Sequence, residues 1–108
     1  ALLDAVRAHE PTSAFGSPAV WERVLPWLEA RGERLPGLRR VITAGAPVAP
    51  RSVERLVARL DPEAEVFTPY GATEALPVTR IGSRELLGEA RALAERGAGT
   101  CVGRAVEG

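Results

Sequence analysis

Residues 39–68 hold two short apolar runs on either side of one amphipathic stripe, and that alternation constrains the fold more than any other feature. Arg39-Arg40-Val41-Ile42-Thr43-Ala44 is short and β-branched, as strands are. Gly45-Ala46-Pro47 breaks it with a turn. From Pro50 onward, Val53, Leu56, Val57 and Leu60 recur at helical spacing. Asp61-Pro62 ends that stripe, and Glu65-Val66-Phe67-Thr68 is a second strand. Strand, helix and strand over this distance make a βαβ unit. Such units join parallel strands by a right-handed crossover. The turns after Ala44 and after Thr68 therefore leave the carboxyl ends of strands in one sheet, the edge where open α/β sheets bind ligands. The predicted fold class is α/β, a mostly parallel sheet with flanking helices.

The flanks fit that scheme. Residues 1–8 read as the end of an amphipathic helix, with Leu2, Leu3 and Val6 on one face. Residues 12–16 read as a short strand. Ser17-Pro18 opens a helix, serine as N-cap and proline at the first helical position. Val20, Trp21, Val24, Leu25 and Leu28 form its stripe. Pro26 is expected to kink or split that helix, because its ring removes a backbone donor and crowds the preceding turn. Residues 78–81 suggest a third strand of this region. Residues 83–96 read as one helix, weakened by Gly88 by about 1 kcal/mol and capped by Gly97. Val102 to the end reads as a strand just beginning.

Bulk properties exclude several functions. The chain has 108 residues, enough for one domain with a real core. Fourteen basic residues balance fourteen acidic ones, so no net field gathers nucleic acid or anionic membrane. Cys101 is the only cysteine, which rules out an internal disulfide and a cysteine metal cluster. No apolar run approaches the ~20 residues of a membrane span. No signal peptide is visible, so the expected setting is cytoplasmic. The absence of methionine and both termini suggest an internal piece of a longer protein.

Most of the chemistry sits in Thr68-Pro69-Tyr70-Gly71-Ala72-Thr73-Glu74. A tyrosine ring can wall off a purine. Gly71 permits close backbone approach to a ligand. Thr73 can donate a hydrogen bond to a phosphate oxygen. Glu74 can hold Mg²⁺, a hard ion that prefers carboxylate and phosphate oxygens. The same residues also suit a strand-to-helix turn in which Thr73 and Glu74 cap a helical turn; composition leaves both readings open. His9 reads as a solvated helix end, Cys101 as a small core residue in a strand, and Trp21 and Trp27 as packing. Arg39-Arg40 reads as a solvated strand start.

The full string Tyr70-Gly71-Ala72-Thr73-Glu74 resembles the Tyr-Gly-x-Thr-Glu motif of the adenylate-forming superfamily. Three further stretches match in order. Residues 11–19 resemble the segment where these enzymes begin their acyl pocket. Ala44-Gly45-Ala46-Pro47-Val48 resembles their adenine-facing glycine turn. Residues 99–108 resemble their Gly-x-x-Gly-Arg-Pro stretch, with Ala105 in place of proline. Within the superfamily, the run from Thr68 to Val78, the charged helix and the final glycines look like the β-lactone synthetases of bacterial long-chain olefin biosynthesis.

That resemblance implies a piece of the large, AMP-binding N-terminal domain, with no complete domain boundary inside the chain. It implies ATP and Mg²⁺ as cofactors and a long-chain hydroxy acid or fatty acid as substrate. Gly45, Ala46 and Pro47 would line the adenine, and Tyr70 would lie beside the adenine or the acyl group. Gly71 and Ala72 would border the acyl carbonyl and α-phosphate. Thr73 would bond that phosphate and Glu74 would bind the metal, the two being the catalytic residues. Gly16, Ser17 and Ala72 would shape the acyl pocket. Other enzymes of the olefin pathway are the expected protein partners. The family's phosphate loop, ribose-binding aspartate, hinge and C-terminal lysine have no counterpart here, and the chain contains no lysine.

Overall fold

The computed structural model describes residues 2–72, 74–99 and 101–107. Its first half is α1 (Leu2–His9), β1 (Ser13–Gly16), α2 (Pro18–Arg31), β2 (Arg40–Thr43), α3 (Pro50–Val57) and β3 (Glu65–Phe67). The three strands lie side by side in chain order, and both pairings are parallel, as the crossover pattern predicts. Ala14, Val41 and Val66 align across the sheet, and the two valines are fully buried. They share one core with Trp21, Leu25 and Leu28 of α2 and with Val53 and Leu56 of α3. The neighbouring row, Phe15, Ile42 and Phe67, points to the other face, because side chains alternate along a strand. Phe15 is 70% exposed there.

Ser17 takes the extended N-cap conformation and Pro18 is the first helical residue of α2. Gly32, at φ +62, ends it in the left-handed conformation, and Glu33 N–H donates to the Leu28 carbonyl at 2.9 Å. Contrary to expectation, Pro26 does not split α2. Buried Leu25 and Leu28 hold the helix to the core around it. Pro26 itself is exposed, so the carbonyl it leaves unbonded can reach water. α3 is one turn shorter than its stripe: the chain tightens after Val57, yet Leu60 stays buried. The Arg34 guanidinium closes that end by donating to the carbonyls of Ala58 and Leu60.

The second half departs further from the sequence reading. Tyr70–Ala72 is not a turn into a helix but a strand, β4, paired antiparallel with β5 (Ala75–Arg80). β6 (Arg104–Ala105) completes a separate antiparallel sheet. The expected strand over 78–81 is thus the end of a longer one. Residues 81–83 fasten this sheet to β3. Thr68 N–H donates to the Ile81 carbonyl at 3.0 Å, and Val66 N–H donates to Ser83 Oγ at 3.1 Å. The expected helix over 83–96 is broken into α4 (Ser83–Glu85) and α5 (Arg91–Leu93), each followed by a wide π-type turn. Gly88 leaves the helical region at φ −90, ψ −121, since no side chain restrains it. Gly97, at φ +88, takes the left-handed conformation expected of it.

Candidate functional site

A cavity of about 350 Å³ opens at the carboxyl ends of β2 and β3, within the usual size range of ligand pockets. Residues 45–48 form one wall and residues 68–71 another. The structure therefore brings together Gly45, Ala46, Pro47, Tyr70 and Gly71, which the sequence placed on one sheet edge. The parallel register of β2 and β3 puts both loops there. Gly45, at φ +100, turns the chain away from the strand, a conformation that favours glycine. Tyr70 is 57% exposed.

A third wall was foreseen only in part. Leu86, Cys101 and Val102 complete the lining. Cys101 packs half-buried against the core, as expected, but it lies outside the strands and also lines the cavity, which corrects its placement within a strand. Thr79 Oγ1 donates to the Val102 carbonyl, which ties this segment to β5. The sequence signal for Cys101 and Val102 was the resemblance of residues 99–108 to the stretch that closes the large domain's substrate side, whereas Leu86 carried none. Gly103, at φ +88, passes so near the Arg80 carbonyl that a Cβ there would overlap backbone atoms. Among the described residues that line it, none carries a charged side chain.

Other predicted residues are not in the lining of this cavity. Ala72 is exposed at the end of β4. Glu74 is exposed in the turn between β4 and β5, and among the described residues its carboxylate has no ion-pair partner. Thr73 lies outside the described residues. Gly16 and Ser17 leave the carboxyl end of β1, the same sheet edge. Gly16 is committed to packing: its carbonyl accepts from Trp21 Nε1 at 3.2 Å, and a Cβ there would sit 3.0 Å from that ring. Trp27 lies on the surface with the Arg31 guanidinium 4.3 Å above its ring. His9 is exposed at the end of α1.

The donor set can be tested against Mg²⁺. Among the described residues no group of three or more His, Cys, Asp or Glu side chains could hold a metal. A single carboxylate such as that of Glu74 fits Mg²⁺ only where substrate phosphates and water supply the remaining ligands, which is its usual mode. Among the described residues no helix is long and apolar enough to cross a membrane.

The profile of the AMP-binding enzyme family matches residues 1–107. The chain is 48% identical over 105 residues to the olefin β-lactone synthetase of Stenotrophomonas maltophilia (strain K279a), covering 97% of this chain and 18% of that protein. It is 43% identical over 78 residues to the long-chain-fatty-acid–CoA ligase of Thermus thermophilus, covering 71% of this chain and 14% of that protein. The chain thus spans less than a fifth of the curated relatives it matches. In three dimensions it is similar to the long-chain-fatty-acid–CoA ligase FadD1 of Archaeoglobus fulgidus, with a TM-score of 0.67 and 23% identity over 96% of this chain and 20% of that one. With its α/β fold, its sheet-edge cavity and these matches, the chain belongs to the AMP-binding enzyme family.

Proposed function

We propose that the full-length protein uses ATP to activate a long-chain 3-hydroxy acid as its acyl-adenylate and then closes it to a β-lactone. The observation that carries this reading is the cavity between the Gly45 turn and the Tyr70 loop, in a chain 48% identical to an olefin β-lactone synthetase. The substrate carboxylate attacks the α-phosphorus of ATP, the bond to the bridging oxygen breaks, and pyrophosphate leaves. The substrate's 3-hydroxyl oxygen then attacks the acyl carbon. AMP leaves and the hydroxyl proton passes to solvent. Having both groups in one molecule gives the proximity advantage of an intramolecular step.

The chain's own residues would bind and orient. The apolar lining of Pro47, Val48 and Pro69 suits a flat base, with Tyr70 against it. Gly71 lets the reacting centre approach the backbone. Thr73, by the family resemblance, would donate to the α-phosphate. Glu74 would hold Mg²⁺, which supplies charge neutralisation on the transferring phosphate. Such transfer is mostly positioning and electrostatics.

The 43% identity to a fatty-acyl-CoA ligase supports a second reading, in which a thiol accepts the acyl group. The test supplies full-length protein with ATP, Mg²⁺ and a 2-alkyl-3-hydroxy acid, without coenzyme A. β-Lactone and AMP are the expected products; product formed only on adding coenzyme A favours the ligase. The 108 residues alone are expected to give no ATP–pyrophosphate exchange, since they carry one side of a site, and measurable exchange would refute that.

A further inference from the structure

Thr43, the last residue of β2, is 1% exposed, and its Oγ1 has no hydrogen-bond partner among the described residues. A buried hydroxyl without a partner costs about 1–3 kcal/mol. Thr43 also lines a small, partly open pocket of about 10 Å³ between α2, α3 and the end of β2. That is close to the smallest volume that admits one water molecule. A second hydroxyl, Ser52 Oγ, lines the same space. Ser52 Oγ donates to Glu22 Oε1, so its lone pairs remain able to accept. The rest of the lining is apolar: Pro18, Trp21, Val48, Val53 and Leu56. Val48 lines this cavity and also the larger one at the sheet edge.

We propose that Thr43 is a positioning residue: its hydroxyl and that of Ser52 hold one water molecule beneath Val48, and this water props the turn that walls the nucleotide cavity. Thr43 Oγ1–H donates to the water, and the water donates to Ser52 Oγ. Every hydroxyl in the pocket is then satisfied. The water also spans from the end of β2 to α3, which fixes both ends of the segment carrying Gly45, Ala46 and Pro47. Its effect on ligand binding rests on the functional reading above; its presence does not.

The experiment compares Thr43→Val and Thr43→Ser in the full-length protein. Valine keeps the shape and removes the hydroxyl; serine keeps the hydroxyl. With the water in place, Thr43→Val strands its remaining partners and shifts the unfolding equilibrium about tenfold toward the unfolded state. A Thr43→Val protein as stable as wild type, or more stable, overturns the water, because an unbonded hydroxyl would be better replaced by a methyl. If the water props the turn, Thr43→Val raises the KM for ATP with little change in kcat, the mark of lost uniform binding, and Thr43→Ser restores it. An unchanged KM in a destabilised Thr43→Val protein overturns the positioning role. Should wild type not use ATP at all, the functional reading fails, and the stability comparison still decides the water.

Discussion

Replacing Gly103 by alanine tests the third wall of the cavity most directly. Gly103 has φ +88, where an L side chain costs about 1–2 kcal/mol. A Cβ there would overlap Arg80 O, Arg80 C and Ile81 N, all backbone atoms that cannot swing aside. Forcing extra atoms into a packed region typically costs about 1–3 kcal/mol more. The expected total is roughly 2–5 kcal/mol, borne where β6 meets β5. Gly32→Ala is the internal control. It carries the same kind of strain at φ +62, but its Cβ would meet nothing within 4 Å. Hydrogen exchange on the full-length proteins reads both locally. In Gly103→Ala the amides of β5 and β6, and the Val106 N–H that donates to the Val78 carbonyl just beyond β6, should open about 30-fold more often or beyond. In Gly32→Ala the end of α2 should open about 5- to 30-fold more often. Because Cys101 and Val102 precede Gly103, the cavity wall should move with it. If Gly103→Ala costs β5 and β6 no more protection than Gly32→Ala costs α2, the close approach at Arg80 is wrong, and the Cys101–Val102 wall with it.

Glu74→Ala should sharply reduce adenylate formation by the full-length protein while leaving its unfolding midpoint unchanged, since the side chain is exposed; unchanged pyrophosphate exchange removes Glu74 from the site. Leu25→Ala, at a position with 0% exposure, should cost about 2–5 kcal/mol in urea unfolding. A loss below ~1 kcal/mol would mean that α2 does not pack as described. Glu29 accepts two hydrogen bonds from Arg55, at 2.7 and 2.8 Å, and that bonding holds its carboxyl below its ordinary value of 4.5. A folded value below the unfolded one means stabilisation that is present above 4.5 and lost as pH falls through the folded value. Glu29→Gln should therefore flatten the acid limb of the stability profile, and an unaltered limb counts against the pair.

The parallel half of the fold was legible because each element there carries its own period. Val53, Leu56 and Val57 announce a helix without reference to anything else, and Val41 and Val66 sit in runs too short for one. Two parallel strands joined by a helix then have little topological choice. That is why the sequence alone places the Gly45 turn and the Tyr70 segment together. The antiparallel half had no such local signature. Tyr70-Gly71-Ala72 is a strand because Thr79 lies opposite Tyr70, and β5 is held on its other side by Arg104 and Ala105, more than twenty residues on. Pro77 and the glycines spoil the alternation that would mark strands, so pairing partners distant in sequence decide the outcome.

The site divides along the same line. Tyr70, Gly71 and Glu74 could be read as chemistry because each has a property that packing alone does not demand. Leu86, Cys101 and Val102 line the cavity by being apolar, and an apolar residue has the same sequence signature whether it faces a core or a ligand. Cys101 was assigned to the core for that reason. Thr43 is the converse case. Threonine in a strand is unremarkable, since its branched side chain suits the pleat. Its hydroxyl becomes a question only once the neighbours bury it and leave it unbonded beside a water-sized space. A turn that must hold a ligand needs support from behind as well as a face toward it. Val48 has one surface on each cavity, so a change at Thr43 can reach the site without touching it.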